Sequence, residues 1–476
     1  MKLADLLASV PGAAVAGGDG DGDVDIASID FDSRAARAGS LFCCLRGAYT
    51  DGHDHAAAAV EQGATALLVD HRLDLGVPCV VVADTRSAMA QIAVRFNGDP
   101  ASAMAVVGIT GTNGKTTTSY LLRAIFDEAG MSAEVVGTLS GTRTTPEAPE
   151  LQARLGAMRD RGVQVVAMEV SSHAMAMHRV DGVHFAVAVF TNLSREHLDF
   201  HETMESYFEV KARLFAPAFA HRAVVNLDSP YGRLLLDAAE VPTVGYSLDD
   251  AEGLVLGPDG SRFRWRDHPV DLGLGGRFNV ANALAAAEAA AALGLAPAVI
   301  AAGLSRPVRV PGRFELVDAG QPFQVVIDYA HTPDGLEQLL GAVREVRPDG
   351  ALTVVFGCGG DRDAAKRPAM GEVAARLADR VVLTSDNSRG EETGAIIEAV
   401  RKGYDQAGDR RARELVIEPD RRLAIATALA SAGVGDAVVI AGKGHETTQI
   451  IGDTVVAFDD REVVLRELER RAGVDP

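Results

Sequence analysis

The stretch Gly108-Ile109-Thr110-Gly111-Thr112-Asn113-Gly114-Lys115-Thr116-Thr117-Thr118 constrains this chain more than any other. Its glycines let backbone N–H groups close on an anion, and a helix N-terminus adds partial positive charge. Both devices need a strand running into the loop and a helix leaving it. Val106-Val107 supplies a β-branched lead-in, and Leu121, Leu122, Ile125, Phe126 and Ala129 keep helical spacing up to Gly130. Strand, glycine-rich loop and helix open a βαβ unit, which commits the chain to a parallel α/β sheet. Lys115 is placed to reach terminal phosphates and the Thr116 hydroxyl to ligand Mg²⁺; Gly111, Thr112, Asn113, Gly114 and Thr117 complete the cradle. A strict G-x-x-x-x-G-K-T would carry glycine at 109, where Ile109 stands. The bland alternative is a Gly/Thr turn before an ordinary helix. The flanking strand and helix favour a bound nucleoside triphosphate instead.

At 476 residues the chain has room for roughly three domains of about 150 residues each. Hydrophobic residues make up 47 % and charged residues 24 %, which suits folded rather than disordered structure. A formal net charge of −20 repels a polyphosphate backbone, so nucleic acid is excluded as a partner and anionic substrates must be caught by individual cations. Cys43, Cys44, Cys79 and Cys358 lack metal-ligand spacing, which points to free thiols in a reducing cytosol. There is no secretory h-region and no uninterrupted apolar stretch of about 20 residues. The expectation is a cytoplasmic protein without a membrane span.

Residues 1–100 alternate short apolar strands (Ala66–Val69, Cys79–Val82) with helical segments such as Ser87–Phe96, and end at the breaker cluster Asn97-Gly98-Asp99-Pro100. Residues 101–312 carry the phosphate loop and further strands, at Met104–Thr110, Val163–Val170, Phe185–Leu193 and Ala223–Leu227, before an alanine-rich helix at Ala281–Ala292. Residues 313–476 repeat the alternation, with strands at Gln324–Ile327, Leu352–Phe356, Val381–Thr384 and Ala437–Ala441. Near-continuous apolar runs mark strands buried on both faces, as in a parallel sheet. The predicted architecture is three α/β units with the nucleotide loop in the middle one.

Ligands in such sheets sit beyond the C-terminal strand ends. Glu169 ends one strand, just before Ser171-Ser172-His173. Thr191-Asn192 ends another, followed by His197, Asp199 and His201. Thr116, Glu169 and His197 therefore converge on one sheet edge, with ligand types that suit Mg²⁺ beside a triphosphate. Taken singly, each reads equally well as a cap or a solvated loop residue.

These segments, taken together with Gly442-Lys443-Gly444-His445-Glu446, resemble the Mur ligases, from Asp32-Ser33-Arg34 to the Gly442 motif. The nearest branch adds the third amino acid to UDP-N-acetylmuramoyl-L-alanyl-D-glutamate. The resemblance implies three domains: an N-terminal unit for the UDP precursor, a central P-loop-type, mostly parallel ATP-binding sheet, and a C-terminal Rossmann-like domain for the amino acid. It implies ATP and Mg²⁺ as cofactors and small-molecule substrates, namely ATP, the UDP-N-acetylmuramoyl dipeptide and diaminopimelate, acting on a monomer. Ser33 is similar to the residue that meets the uridine nucleotide, and Thr144, Thr145, Ser171 and Arg179 to substrate-binding positions. Met177 stands where many relatives have glutamine, and Glu196 where aspartate is common.

Lys211 is similar to the family lysine that is carbamylated by CO₂ and, with Thr116, Glu169 and His197, binds metal. Lys115, Glu169, His197 and Lys211 form the implied catalytic set. Asn279 and Asn282 match positions near the adenine, and their spacing of three puts them on one helical face. Arg313 and Asp328 look like the C-terminal contribution to ATP. Arg362, Asp386-Asn387-Ser388-Arg389, Gly442 and Glu446 resemble the acceptor pocket; Ser388 replaces a family proline and is expected to loosen that turn. Arg389 favours diaminopimelate, whose extra carboxylate a guanidinium pairs bidentately; L-lysine is the alternative acceptor. A folate-extending sister ligase, a P-loop ATPase driving motion and a non-catalytic nucleotide sensor are more distant readings.

Overall fold

The computed structural model describes residues 1–16, 24–47, 50–141 and 143–471; the acidic, glycine-rich stretch near residue 19 lies outside them. The phosphate-loop strand, Ala105–Thr110, sits inside a six-stranded sheet ordered Thr243–Tyr246, Ala223–Asn226, Val187–Phe190, Ala105–Thr110, Val165–Glu169, Ala133–Val136. Every pairing in it is parallel. From Ala105–Thr110 the chain goes to the edge strand Ala133–Val136, returns to Val165–Glu169 beside its start and then builds outward on the other side, so the phosphate loop lies where the strand order reverses. That is the crevice in which open parallel sheets hold ligands.

One face of this sheet buries Val107, Ile109, Val187 and Val189 against Leu121, Leu122, Ile125 and Phe126 of helix Lys115–Glu128. The sequence spacing of that helix is thereby explained. Helix Arg277–Ala292 packs on the same layer through an almost unbroken row of buried alanines, Ala283 to Ala290. Helix Pro297–Leu304 approaches so closely that a Cβ on Gly303 would lie 2.5 Å from Ile125 Cα. The other face buries Met168, Phe185, Phe190 and Leu214 in a separate cluster.

The C-terminal sheet has six strands in the order Glu315–Leu316, Gln324–Asp328, Ala437–Ala441, Leu352–Phe356, Arg380–Leu383, Glu414–Ile417. All pair in parallel except the two-residue edge strand. Helices cover both faces, giving two clusters, one around Leu339, Met370 and Val400 and one around Ile425, Leu429 and Val464. The N-terminal sheet has five strands, one antiparallel. Among the described residues no helix is long and apolar enough to cross a membrane.

A three-stranded sheet and the hairpin Thr448–Ile451/Thr454–Ala457 escaped the sequence reading. Glu252–Gly257, Gly260–Trp265 and His268–Leu272 form an antiparallel three-stranded sheet. Its middle strand alternates exposed Arg262 and Arg264 with buried Phe263 and Trp265, and its turn places Arg266 and Asp267 at φ 44° and 65°, the geometry that matches strand twist. The same face carries Trp265 Nε1, which donates to buried Glu288 at 3.1 Å.

Candidate active site

The phosphate loop is held from the neighbouring strand end. Thr112 N donates to Asn192 O at 3.0 Å, Asn113 N to Asn192 Oδ1 at 2.9 Å, and Thr191 Oγ1 to Asn113 O at 2.6 Å. Gly111 is required at this junction: a Cβ there would lie 1.9 Å from Thr191 Oγ1. Lys115 Nζ folds over the loop and donates to Gly111 O and Thr112 O, both at 2.8 Å. Burial lowers its pKa, a pull opposed by the charges of Glu196 and Glu169.

Thr116, Glu169 and His197 line one cavity of about 190 Å³ with Thr117, Thr144, Ser171 and Arg313. The three residues expected to converge from the strand ends thus share one cavity. Thr116 Oγ1 donates to Glu169 Oε2 at 3.0 Å, and Thr138 reaches the same carboxylate through its N–H and its hydroxyl. Thr145 does not face the cavity. Its hydroxyl donates to Glu169 O at 2.8 Å and accepts from Ser171 N at 3.2 Å, so it splints the strand end. Ser171 caps the following helix by accepting from Ala174 N at 3.1 Å. Hydroxyl and carboxylate oxygens with one imidazole suit a hard divalent cation.

Lys211 departs from the predicted metal set. It lies beneath the loop rather than in the cavity wall, 1 % exposed, donating to Gly111 O at 3.1 Å and Thr110 Oγ1 at 3.3 Å, with the Tyr207 ring 4.8 Å away. Burial first, and the Lys115 charge second, push its ammonium well below the usual lysine range. A buried amine without a carboxylate contact is held toward its neutral, nucleophilic form.

A second cavity, about 500 Å³, adjoins the loop through Asn113 and Gly114. Phe278, Ala281 and Asn282 form one wall, Asn226 and Tyr246 another, and Asp334, Gln338 and Glu345 of the C-terminal domain a third. Asn282 lines it. Asn279 does not, because its amide donates to Gly275 O at 2.8 Å and accepts from Asn282 Nδ2 at 3.2 Å. Arg313 crosses from the C-terminal domain: its guanidinium lies 4.5 Å from the Tyr329 ring and Nη2 is 3.3 Å from Thr116 Oγ1. Asp328 braces that crossing by accepting from Phe314 N at 2.6 Å and Ala330 N at 2.8 Å. Burial raises its pKa against the opposing Arg313 charge.

A third cavity, about 390 Å³, is lined by Arg362, Asp386, Asn387, Arg389, Gly442 and Glu446. Ser388 is the exception in this predicted set. Its hydroxyl is buried without a hydrogen-bond partner, and it does not line the cavity. The expected loosening of the turn is not what forms: Glu391 N donates to Ser388 O at 3.0 Å, and Arg389 N to Ile450 O at 3.1 Å. Gly360 packs so tightly that a Cβ would lie 1.9 Å from Ser388 O. Arg389 adopts φ 49° and donates through Nη1 to Gly360 O at 2.7 Å. Asn387 spends its amide internally, donating to Glu446 Oε2 at 2.7 Å and accepting from Ile450 N at 3.0 Å.

Glu196 and His331 line both this cavity and the 190 Å³ one, and sequence reasoning gave neither a role. His331 Nε2 and Glu196 Oε1 are 3.0 Å apart, across 135 residues of sequence. Burial alone would raise the Glu196 carboxyl, but the His331 hydrogen bond and the His197, His331 and Lys115 charges hold it well below its usual range.

Two further predicted residues stand elsewhere. Ser33 opens a short 3-10 helix whose cap is Asp32, accepting from Arg34 N at 3.0 Å, and it lines none of the three cavities. Arg179 pairs with buried Glu147 at 2.8 Å and donates to Thr145 O at 3.2 Å. Where a glutamine was expected, Met177 offers its sulfur to Arg179 Nη2 at 3.5 Å.

Family profiles match along the chain: Mur ligase family, catalytic domain, over 25–97; Mur ligase middle domain over 109–290; and Mur ligase, glutamate ligase domain, over 312–444. The chain is 44 % identical over 518 aligned residues to the UDP-N-acetylmuramoyl-L-alanyl-D-glutamate--2,6-diaminopimelate ligase of Geobacter metallireducens, covering 99 % of each. It is 44 % identical to the like-named ligase of Streptomyces coelicolor, covering 94 % of each. A solved structure of a ligase of that name superposes with a TM-score of 0.67 at 32 % identity, over 99 % of this chain and 100 % of the other. The MurF ligase of Thermotoga maritima in complex with ADP shares the fold, with a TM-score of 0.66 at 20 % identity over 93 % of this chain and 98 % of that one. With the three cavities arranged along one crevice and these matches spanning the whole chain, the protein belongs to the Mur ligase family.

Proposed function

We propose that the chain is an ATP-dependent ligase that joins diaminopimelate to the D-glutamate γ-carboxylate of UDP-N-acetylmuramoyl-L-alanyl-D-glutamate, in the cytoplasm and as a monomer. The observation that carries the reading is the run of three cavities sharing walls, with a phosphate loop at one junction and Glu196–His331 at the other. The division into precursor, ATP and amino-acid domains at 1–100, 101–312 and 313–476 is part of the same proposal.

A carboxylate is a poor electrophile, so it needs a leaving group. A γ-carboxylate oxygen attacks the γ-phosphorus of ATP, the bond to the β-phosphate oxygen breaks, and ADP leaves an acyl phosphate. The neutral amine nitrogen of the acceptor then attacks the carbonyl carbon; the tetrahedral adduct collapses, the C–O bond to phosphate breaks, and one amine proton passes to solvent while the other stays as the amide N–H. Lys115 and the loop amides hold the phosphates, and Arg313 offsets the charge gathering beside Thr116. Asn282 and the Phe278 wall take the base of the nucleotide. Thr116, Glu169 and His197 would hold Mg²⁺, which would supply charge neutralisation beside the phosphates. The low basicity of Lys211 supports its carbamylation: the neutral amine adds to CO₂ and loses a proton, turning a buried cation into an anion able to join that metal set. Thr144, Thr145, Ser171 and Arg179 are assigned to the muramyl peptide and Ser33 to the uridine nucleotide, on family resemblance.

Arg362 and Arg389 support diaminopimelate over L-lysine, since an unpaired guanidinium in the acceptor cavity penalises an amine lacking the second carboxylate. The test is ADP and phosphate release with the muramyl dipeptide nucleotide and a panel of amines. ADP should accumulate with a new amide bond only when dipeptide and diaminopimelate are both present. Steady ATP hydrolysis without a carboxylate acceptor would overturn the reading.

A further inference from the structure

Lys443 is fully buried, at 0 % exposure, behind Asn387, Gly442 and Glu446 of the acceptor-cavity wall. An ammonium has three donors, and each has an acceptor: Asn387 Oδ1 at 3.2 Å, Glu446 Oε2 at 3.0 Å and Thr448 O at 2.6 Å. Lys443 therefore has nothing left for a ligand. Glu446 does. Both of its hydrogen bonds, from Lys443 and from Asn387 Nδ2, fall on Oε2, which turns Oε1 over to the cavity that Glu446 lines. The same ammonium ties this carboxylate to strand Thr448–Ile451, and that strand pairs with the Arg389 backbone through Arg389 N to Ile450 O and Gly452 N to Arg389 O. One buried charge thus ties the Glu446 carboxylate to the backbone segment that carries Arg389.

Charge adds to geometry. Glu446 is one of five carboxylates that line this cavity beside four cationic side chains, and Lys443 offsets its charge from behind. A cavity trimmed in this way suits an amino-acid terminus, in which an ammonium arrives with its own carboxylate. It is less suited to a bare ammonium, which gains most from uncompensated negative charge.

We propose that Lys443 is a specificity-determining positioning residue: by aiming and partly neutralising Glu446, it biases the acceptor site toward a zwitterionic terminus and against a lone amine. The proposal rests on the ligase reading above. Its test is steady-state kinetics of the full chain with the muramyl dipeptide nucleotide, ATP, and either diaminopimelate or lysine, with Lys443→Met made in the wild-type and Glu446→Gln backgrounds. Lys443→Met should raise KM for diaminopimelate about tenfold, leave KM for ATP unchanged, and lower the diaminopimelate-to-lysine ratio of kcat/KM about tenfold. In the Glu446→Gln background the same change should move the ratio less than about threefold. Equal losses with both amines, or an undiminished effect without Glu446, would overturn the proposal. If Lys443→Met does not fold, Lys443→Gln removes the charge while keeping a donor toward Asn387, and an unchanged ratio in that variant overturns it. A wild-type protein that makes no amide with either amine defeats the ligase reading instead.

Discussion

In the phosphate cavity, most of the groups that face an anion come from one short segment, the loop amides of residues 111–114, Lys115 and Thr116, with Arg313 added from the C-terminal domain. In the acceptor cavity, Arg362, the Asp386–Arg389 motif and Glu446 come from three separate segments, held by bonds such as Lys443 to Asn387, 56 residues away. The first site is mostly backbone on a strand–helix junction, which tolerates change around it. The second is a lattice of side chains, each needing its partner. A loop of the first kind can serve many reactions, whereas a pocket of the second kind is where one acceptor is told from another.

The largest effect should follow from Lys115→Ala, with ADP formation falling about 10³-fold in the presence of all substrates and little change in melting temperature. Comparable activity in this variant would break the contrast at its firmer end. Lys211→Ala should cost about 10²-fold; Lys211→Glu, which restores a carboxylate at shorter reach, should retain more of the rate, and rates equal to alanine would count against an anionic role. On the acceptor side, Arg389→Lys keeps the charge but loses the planar fork, so KM for diaminopimelate should rise about 10- to 100-fold with kcat and KM for ATP nearly unchanged. Gly360→Ala sharpens the same point without touching a ligand group. Its Cβ would press on Ser388 O, so calorimetry should show a loss of about 1–3 kcal/mol and kinetics a weaker acceptor KM.

The smallest effect is a pH slope. Burial, with repulsion from Arg313 and Lys443, brings the His445 imidazole from 6.5 down to about 4. The unfolded chain binds this proton near pH 6.5 and the folded chain only near pH 4, so the unfolded state holds more protons between them and stability falls as pH drops through that window. His445→Gln should flatten the fall by about 1 kcal/mol or less, after discounting for partial exposure. An unchanged slope in chemical denaturation between pH 6.5 and 4.5 would show that the imidazole is better solvated than its surroundings imply.

How much of this was legible beforehand follows the same contrast. Leu352–Phe356 and Ala437–Ala441 form with the bounds their apolar runs predict, because strands buried on both faces leave an unbroken hydrophobic record. Thr116, Glu169 and His197 could be brought together from strand ends alone, since a parallel sheet delivers its loops to one edge. The Glu252–Leu272 sheet was missed although its Arg-Phe-Arg-Trp alternation has a period of two; the cue covers only a few residues beside exposed Val255. Glu196–His331 and the Lys443 network left no periodic trace at all. The first is set by how the domains dock, and the second by how loops of the C-terminal domain pack on one another. Asn279, Thr145 and Asn387, expected to reach ligands, spend their polar groups on partners within their own domains: a short motif names residues but does not say which of them face inward.

Glu196 belongs to the central domain and His331 to the C-terminal one, yet together they line both the 190 Å³ cavity and the 390 Å³ one. A wall assembled from two domains cannot be shifted for one cavity alone. Under the proposed function, one movement between the domains would therefore govern both the entry of the amine and the exclusion of water.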